Sequence, residues 1–255
     1  MSVYDIKFER LFMEKVIVIC GPTASGKTGL GIELAKRING EVVSADSMQI
    51  YKDMTIGTAK PTVGEMNGVV HHLIDFVSPS ERYSVADFKR DAENVLSDIV
   101  SRGKVPIVVG GTGLYIDSLV YGIDFPDIEY DEDYRNELMS IAETDDGLAK
   151  LYDRAKEIDG DAVSKISCND KKRIVRILEL YKATGMTKTE LEMKSRENGP
   201  KFDYRVFAID MDREKLYERI NLRVDLMIEN GLIDEVKDLL EKYDNFPTAM
   251  QGLRL

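Results

Sequence analysis

The stretch Lys15-Val16-Ile17-Val18-Ile19-Cys20, followed by Gly21-Pro22-Thr23-Ala24-Ser25-Gly26-Lys27-Thr28, decides the fold of this 255-residue chain. Its first six residues are a β-branched apolar run of strand length. The next eight fit G-x-x-x-x-G-K-[ST], placed after a strand and before a helix start. Glycines allow backbone N–H groups to converge on phosphate oxygens, and the N-terminus of the following helix adds positive potential. Lys27 supplies a mobile charge, and the Thr28 hydroxyl suits a magnesium ion bridging phosphates. The pattern predicts binding of a phosphate chain at residues Gly21 to Thr28. It leaves the reaction open between a small-molecule kinase, another NTPase and a nucleotide-gated interaction protein.

Downstream, Glu41 to Ala45 is a second strand-like run ending at Asp46. Lys104 to Val109 is a third, running into Gly110-Gly111-Thr112-Gly113, and Arg205 to Ile209 is a fourth. Helical stretches lie between them, notably Thr28 to Ile38 and Val85 to Ser101. This alternation predicts an α/β class: a parallel sheet covered by helices. Residues 121–204 break the pattern with an acidic opening and helical periodicity, and read as an all-helical insertion. The core is then 15–120 plus 205–255, with 1–14 as an N-terminal extension. A late helix from about Asp212 to Asn230 carries Leu216, Ile220, Val224, Met227 and Ile228 as an apolar stripe, with Gly231 as its C′ residue.

Composition sets bounds. The chain is 43% hydrophobic and 32% charged, as in an ordinary folded domain. It has no apolar run near the ~20 residues needed to cross a bilayer, and its first residues lack a signal-peptide h-region. A cytoplasmic protein without membrane contact is expected. Two cysteines make no disulfide framework, and two adjacent histidines make no metal cluster, so any metal should be held by oxygen. The net charge of −11 runs against a nucleic-acid partner unless a local basic surface exists.

One candidate surface starts at Asn169. There Ile174, Ile177, Leu178 and Tyr181 form an i, i+3, i+4, i+7 stripe. Lys172, Arg173 and Arg176 sit on roughly the opposite face, with Lys171 and Lys165 nearby. On residues alone, a solvated helix face is the competing reading. Asp46 could instead cap a helix or turn, Arg223 could be a surface ion-pair partner, and Gly110-Gly111 could be only a tight turn.

Longer motifs then point to a family. Ser44 to Pro61, His71 to Phe88, Pro106 to Tyr115, Asn169 to Gly185 and Leu216 to Val236 resemble tRNA dimethylallyltransferases, in that family's order and near its spacing. The resemblance runs from about Val16 to Leu253. It implies a P-loop kinase-like core with a helical insertion, dimethylallyl diphosphate as donor, and the anticodon stem-loop of tRNA as partner. The acceptor is N6 of the adenine 3′-adjacent to the anticodon. It further implies Asp46 as general base, and Thr23, Lys27 and Arg223 as catalytic partners on the diphosphate side, with Arg219 one turn earlier. The diphosphate would be held by Gly21, Pro22, Thr23, Ala24, Ser25, Gly26, Lys27 and Thr28, with Mg²⁺ at Thr28. Contacts to tRNA are implied for Asp46, Ser47, Met48, Gln49, Thr112, Arg135, Lys172, Arg173, Ile174, Val175 and Arg176. Within that last run, Ile174 and Val175 are expected to pack rather than touch RNA. A monomer is expected. Sequences of the family run on beyond the stretch matching Ala249-Met250-Gln251-Gly252-Leu253, with further helices and basic surface. An adenylate isopentenyltransferase using free AMP or ATP is a related alternative, which the insertion and its basic ridge disfavour.

Overall fold

The computed structural model describes residues 13–125, 131–243, 247 and 249–250. The expected extension lies almost wholly outside them, as do residues 251–255. The chain divides into two compact units, one made of the residues up to Tyr121 and from Pro200 onward, the other Gly122–Gly199.

The first unit begins with β1 (Lys15–Cys20), α1 (Lys27–Ile38), β2 (Gly40–Ala45), the short α2 (Val63–Met66) and β3 (His71–His72). Next come α3 (Val85–Ser101), β4 (Val105–Gly110) and α4 (Gly113–Val120). The second unit holds α5 (Glu132–Ile141), α6 (Asp145–Ile158), α7 (Gly160–Val163), α8 (Lys171–Thr184) and α9 (Lys188–Lys194). The first unit resumes with β5 (Asp203–Ala208), α10 (Arg213–Glu229) and α11 (Leu232–Lys242).

All five strands are parallel, in the order β3-β2-β4-β1-β5, with Val18 opposite both Val108 and Val206, and Val43 opposite Val108. Parallel strands buried on both faces need continuous apolar runs, which is how β1 and β4 read. On one face Phe88, Ala92, Leu96 and Ile99 of α3 pack against Val16, Val18, Val43 and Val108. Phe88 also stacks on Tyr115 of α4, 4.0 Å between ring centres. On the other face Ala35 of α1 meets Ile19, Val42, Ile107 and Val109. Helix α3 starts where Ser84 and Asp87 form a reciprocal capping box, each satisfying a backbone N–H of the other's residue. Among the described residues no helix is long and apolar enough to cross a membrane.

Several details correct the sequence reading. Strand β3 has no counterpart in it, because two histidines carry no apolar signal; the strand exists by pairing with Val42 and Val43. Strand β5 begins at Asp203, so the expected insertion boundary at 204 falls inside a strand, and β4 runs to Gly110 rather than Val109. The expected stripe of α10 is not a core stripe. No residue of this helix is buried, and Val224 and Ile228 are exposed. The half-buried face is Leu216, Ile220, Arg223 and Met227, so Arg223 lies within that face and is not a fully exposed surface ion-pair partner.

The second unit has its own core, in which Leu138, Leu151, Ala155 and Val163 surround Ile174, Val175, Ile177 and Leu178 of α8. Asp170 caps α8 by accepting from the Arg173 N–H. Tyr181, expected in the apolar stripe, is 42% exposed, and Val175 and Leu180 take its place on the inner face.

Candidate active site

Parallel strands deliver their C-terminal ends to one edge, where ligands bind in open α/β sheets. Here that edge carries the glycine-rich loop after β1, Asp46 after β2, and Gly111-Thr112 after β4. Gly26 opens α1 at φ 91°, in the left-handed region that favours glycine, with its amide at a helix N-terminus. Ser25 is 5% exposed, and its buried hydroxyl has no hydrogen-bond partner among the described residues. A buried, unpaired hydroxyl in a glycine-rich loop at a helix N-terminus suits an anion-receiving site.

Gly110 does not make a turn. It is the last residue of β4, and a Cβ there would lie 2.1 Å from the Ala45 carbonyl oxygen, so only glycine lets β4 approach β2 this closely. A Cβ on Gly111 would stand 3.5 Å from Lys27 Nζ, which places the β4 exit directly against the loop lysine.

Lys27, Asp46 and Arg223 form one electrostatic cluster. Burial lowers the Lys27 pKa, Asp46 pulls it back up, and Arg223 pushes it down. Burial likewise lowers Arg223, with Asp46 opposing. Two desolvated cations facing one carboxylate make a place suited to concentrated negative charge. A cavity of about 470 Å³ opens beside them. Ala24, Gly26, Lys27 and Thr28 line its loop side, and Arg219 and Arg223 of α10 line the other. Leu222 and Leu226 give it an apolar wall, so a charged head and a short hydrocarbon tail can share it. Gly21, Pro22 and Thr23 lie in the same loop outside the lining, with Thr23 exposed.

Asp46 accepts the N–H groups of Met48 (2.9 Å) and Gln49 (3.4 Å) through Oδ1, so its turn-capping role is real. Among the described residues no bond reaches Oδ2, leaving one carboxylate oxygen for chemistry. Thr112 accepts the Ser47 N–H at 2.9 Å and donates to the Ser47 hydroxyl at 3.3 Å. Gln49 spends both amide protons internally, donating from Nε2 to the carbonyls of Thr58 (3.2 Å) and Ala59 (3.1 Å). Only its carbonyl oxygen, which also receives the Ser44 hydroxyl, can meet a base edge. No group of three or more His, Cys, Asp or Glu side chains fit for a metal occurs among the described residues. A magnesium held by one hydroxyl and by substrate phosphates needs no such cluster, and Thr28 on the cavity wall fits that arrangement.

This geometry belongs to a known lineage. The family model described as "IPP transferase" matches residues 49–254, and one described as "Isopentenyl transferase" matches residues 14–81. The chain belongs to the IPP transferase family. A tRNA dimethylallyltransferase of Acetivibrio thermocellus is 52% identical over 242 residues, covering 94% of this chain and 77% of the relative. Another from Oceanobacillus iheyensis is 49% identical over 233 residues, covering 91% and 74%. The crystal structure of the full-length tRNA isopentenylpyrophosphate transferase of Bacillus halodurans is similar with a TM-score of 0.64 at 44% identity, covering 93% of this chain and 74% of that one. A eukaryotic dimethylallyltransferase, crystallised acting on tRNA, gives a TM-score of 0.73 at 36% identity, covering 91% and 57%.

In this IPP transferase the second unit sorts its candidates clearly. Lys172, Arg173 and Arg176 are exposed on α8, whereas Ile174 and Val175 are fully buried in the core and cannot reach RNA. Arg173 pairs with Asp170 at 3.3 Å, and Arg176 lies 3.7 Å from the buried Glu179. Arg135 of α5 pairs with the same Glu179 at 2.8 Å, so it joins α5 to α8 whatever else it touches. Lys172 makes no ion pair among the described residues. Residue spacing missed the apolar wall of Leu222 and Leu226. It also undervalued Arg219, whose guanidinium reaches over Gly26; the i, i+4 spacing from Arg223 was the available signal.

Proposed function

We propose that this chain transfers the dimethylallyl group from dimethylallyl diphosphate to N6 of the adenine 3′-adjacent to the anticodon of tRNA, releasing diphosphate. The observation carrying this reading is the cavity in which the glycine-rich loop, Lys27 and Arg223 face an apolar wall, with Asp46 in electrostatic reach. Membership of the family supports the same reaction over phosphoryl transfer.

The adenine N6 lone pair attacks the allylic carbon. The carbon–oxygen bond to diphosphate breaks, and its electron pair leaves with the diphosphate oxygen. Lys27, Arg223 and the loop amides stabilise that developing charge, and preorganised groups of this kind are usually the largest catalytic contribution. The attacking amine must lose a proton, and Asp46 Oδ2 is the base that takes it. Magnesium, held by Thr28 and diphosphate oxygens, would add neutralising charge at the leaving group. An adenine must leave its stack to be reached, and Ser47, Gln49 and Thr112 form the surface that would receive it. The exposed cations of α8 are the candidates for tRNA phosphates. The chain is taken to work as a cytoplasmic monomer.

The test is incubation with dimethylallyl diphosphate, magnesium and unmodified tRNA, with AMP as a parallel acceptor, followed by nucleoside analysis. Prenylated adenosine in tRNA is expected. Prenylation of AMP alone would assign the chain to adenylate isopentenyl transfer, and ATP consumption without prenyl transfer would make it a kinase.

A further inference from the structure

The backbone N–H groups of three consecutive residues, Thr55, Ile56 and Gly57, converge on the carboxylate of Glu235, which lies about 180 residues later in the chain. Thr55 and Ile56 donate to Oε2 at 2.9 and 2.7 Å, and Gly57 donates to Oε1 at 2.9 Å. Successive amides aimed at one point form an anion nest, and here a side chain of the same protein fills it. Charge-assisted bonds of this kind are short and strong.

The nest belongs to the segment that leaves the active-site edge. The next two residues, Thr58 and Ala59, are those whose carbonyls hold the Gln49 amide. Gln49 in turn donates its backbone N–H to Asp46 Oδ1. Helix α11, which carries Glu235, is anchored to this segment twice more. Leu239 packs in a cluster with Ile50, Tyr51 and Met54, and Lys242 and Tyr243 both donate to the Asp53 carboxylate at 2.7 and 2.6 Å. The segment is therefore set by α11, and Gln49 is set by the segment.

We infer that Glu235 is a positioning residue: by gathering the amides of residues 55–57 it fixes the Thr58 and Ala59 carbonyls, which lock Gln49 so that its carbonyl oxygen, and not its amide nitrogen, is presented to the acceptor base. An amide locked this way offers a hydrogen-bond acceptor to a base edge, which suits an exocyclic amine. Without Glu235, three N–H groups lose their shared acceptor, the 55–59 segment relaxes, and Gln49 is free to flip or withdraw. This role rests on the reading that Gln49 faces the tRNA base.

The experiment is steady-state prenyl transfer to unmodified tRNA by the wild type, Glu235→Ala, Gln49→Ala and the double variant, with thermal melting of each. Glu235→Ala is expected to lower kcat/KM for tRNA by about 10- to 100-fold, as small misplacements do, while KM for dimethylallyl diphosphate stays within about twofold. Glu235→Gln, which keeps one acceptor oxygen, should recover part of the loss. In the Gln49→Ala background, Glu235→Ala should cost less than about threefold more, because residues acting through one contact are not additive. Should Glu235→Ala fail to fold, Glu235→Gln carries the same cycle. Full additivity, or an equal rise in KM for the diphosphate, overturns the positioning role while leaving the prenyl-transfer reading intact. A Gln49→Ala enzyme with wild-type kcat/KM for tRNA overturns both this role and the assignment of Gln49 to the base.

Discussion

Thr112 accepts the backbone N–H of Ser47 at 2.9 Å, joining the exit of β4 to the exit of β2 across 65 positions of sequence. With Gly110 allowing the strands to close on each other, this hydroxyl, together with the Thr112 N–H donated to the Ala45 carbonyl at 3.2 Å, holds together the two turns that carry Asp46 and the entrance to α4. Thr112→Val keeps the shape and removes the acceptor. The expected result is a loss of about 1 kcal/mol in denaturant unfolding and about a tenfold fall in kcat/KM, with Thr112→Ser restoring most of both.

The proton-accepting role of Asp46 gives a sharper outcome. Asp46→Asn, which keeps an Oδ1 acceptor for the Met48 and Gln49 N–H groups, should lower turnover by about 10²- to 10⁴-fold, the usual contribution of a general base, while tRNA binding measured by filter retention stays close to wild type. Wild-type turnover in that variant would remove Asp46 from the chemistry.

Far from the site, Glu41 is buried at the start of β2 and accepts from both Arg102 nitrogens (2.6 Å), from Lys104 (2.6 Å), and meets His72 Nε2 at 2.7 Å. The Arg102 bond, ahead of the opposing effect of burial and helped by Lys104 and His72, holds its carboxyl well below the usual range. Folding thus lowers this pKa. The stabilisation is complete above the unfolded-chain value of about 4.3 and is lost as pH falls below it towards the folded value. Glu41→Gln should cost about 2 kcal/mol at neutral pH, with the gap from wild type narrowing below about pH 4 in urea titrations. A gap independent of pH would show that the ion pairs are not its source.

The exposed cations of α8 and the paired Arg135 should separate in a salt titration. Lys172→Gln with Arg173→Gln should weaken tRNA binding and flatten the log–log salt slope by about 0.7–0.9 for each phosphate that is no longer neutralised. Arg135→Ala removes the 2.8 Å partner of the buried Glu179, and should cost about 1–3 kcal/mol of stability. An unchanged slope in the first variant would exclude the ridge from tRNA binding.

What the residues determined by themselves is local: the anion loop after β1, the class of the sheet, and helices such as α3, whose expected stretch Val85–Ser101 is the one observed. Those signals live within one or two turns of chain, where caps and periodicity operate. The inward packing of Ile174 among the cations of α8 followed from local helical spacing, whereas Val175 lay outside the expected stripe and is buried by the helices packed against it. Only the tertiary structure decided which charged groups meet. No spacing rule joins Glu235 to Thr55, Ile56 and Gly57, or Arg135 to Glu179, because such partners are chosen by the packing of distant elements. The same holds for α10, whose apolar residues read as a buried stripe but whose exposed Arg219, Leu222 and Leu226, with the half-buried Arg223, line a cavity. Burial is a property of what lies opposite, and the chain's own pattern cannot supply it.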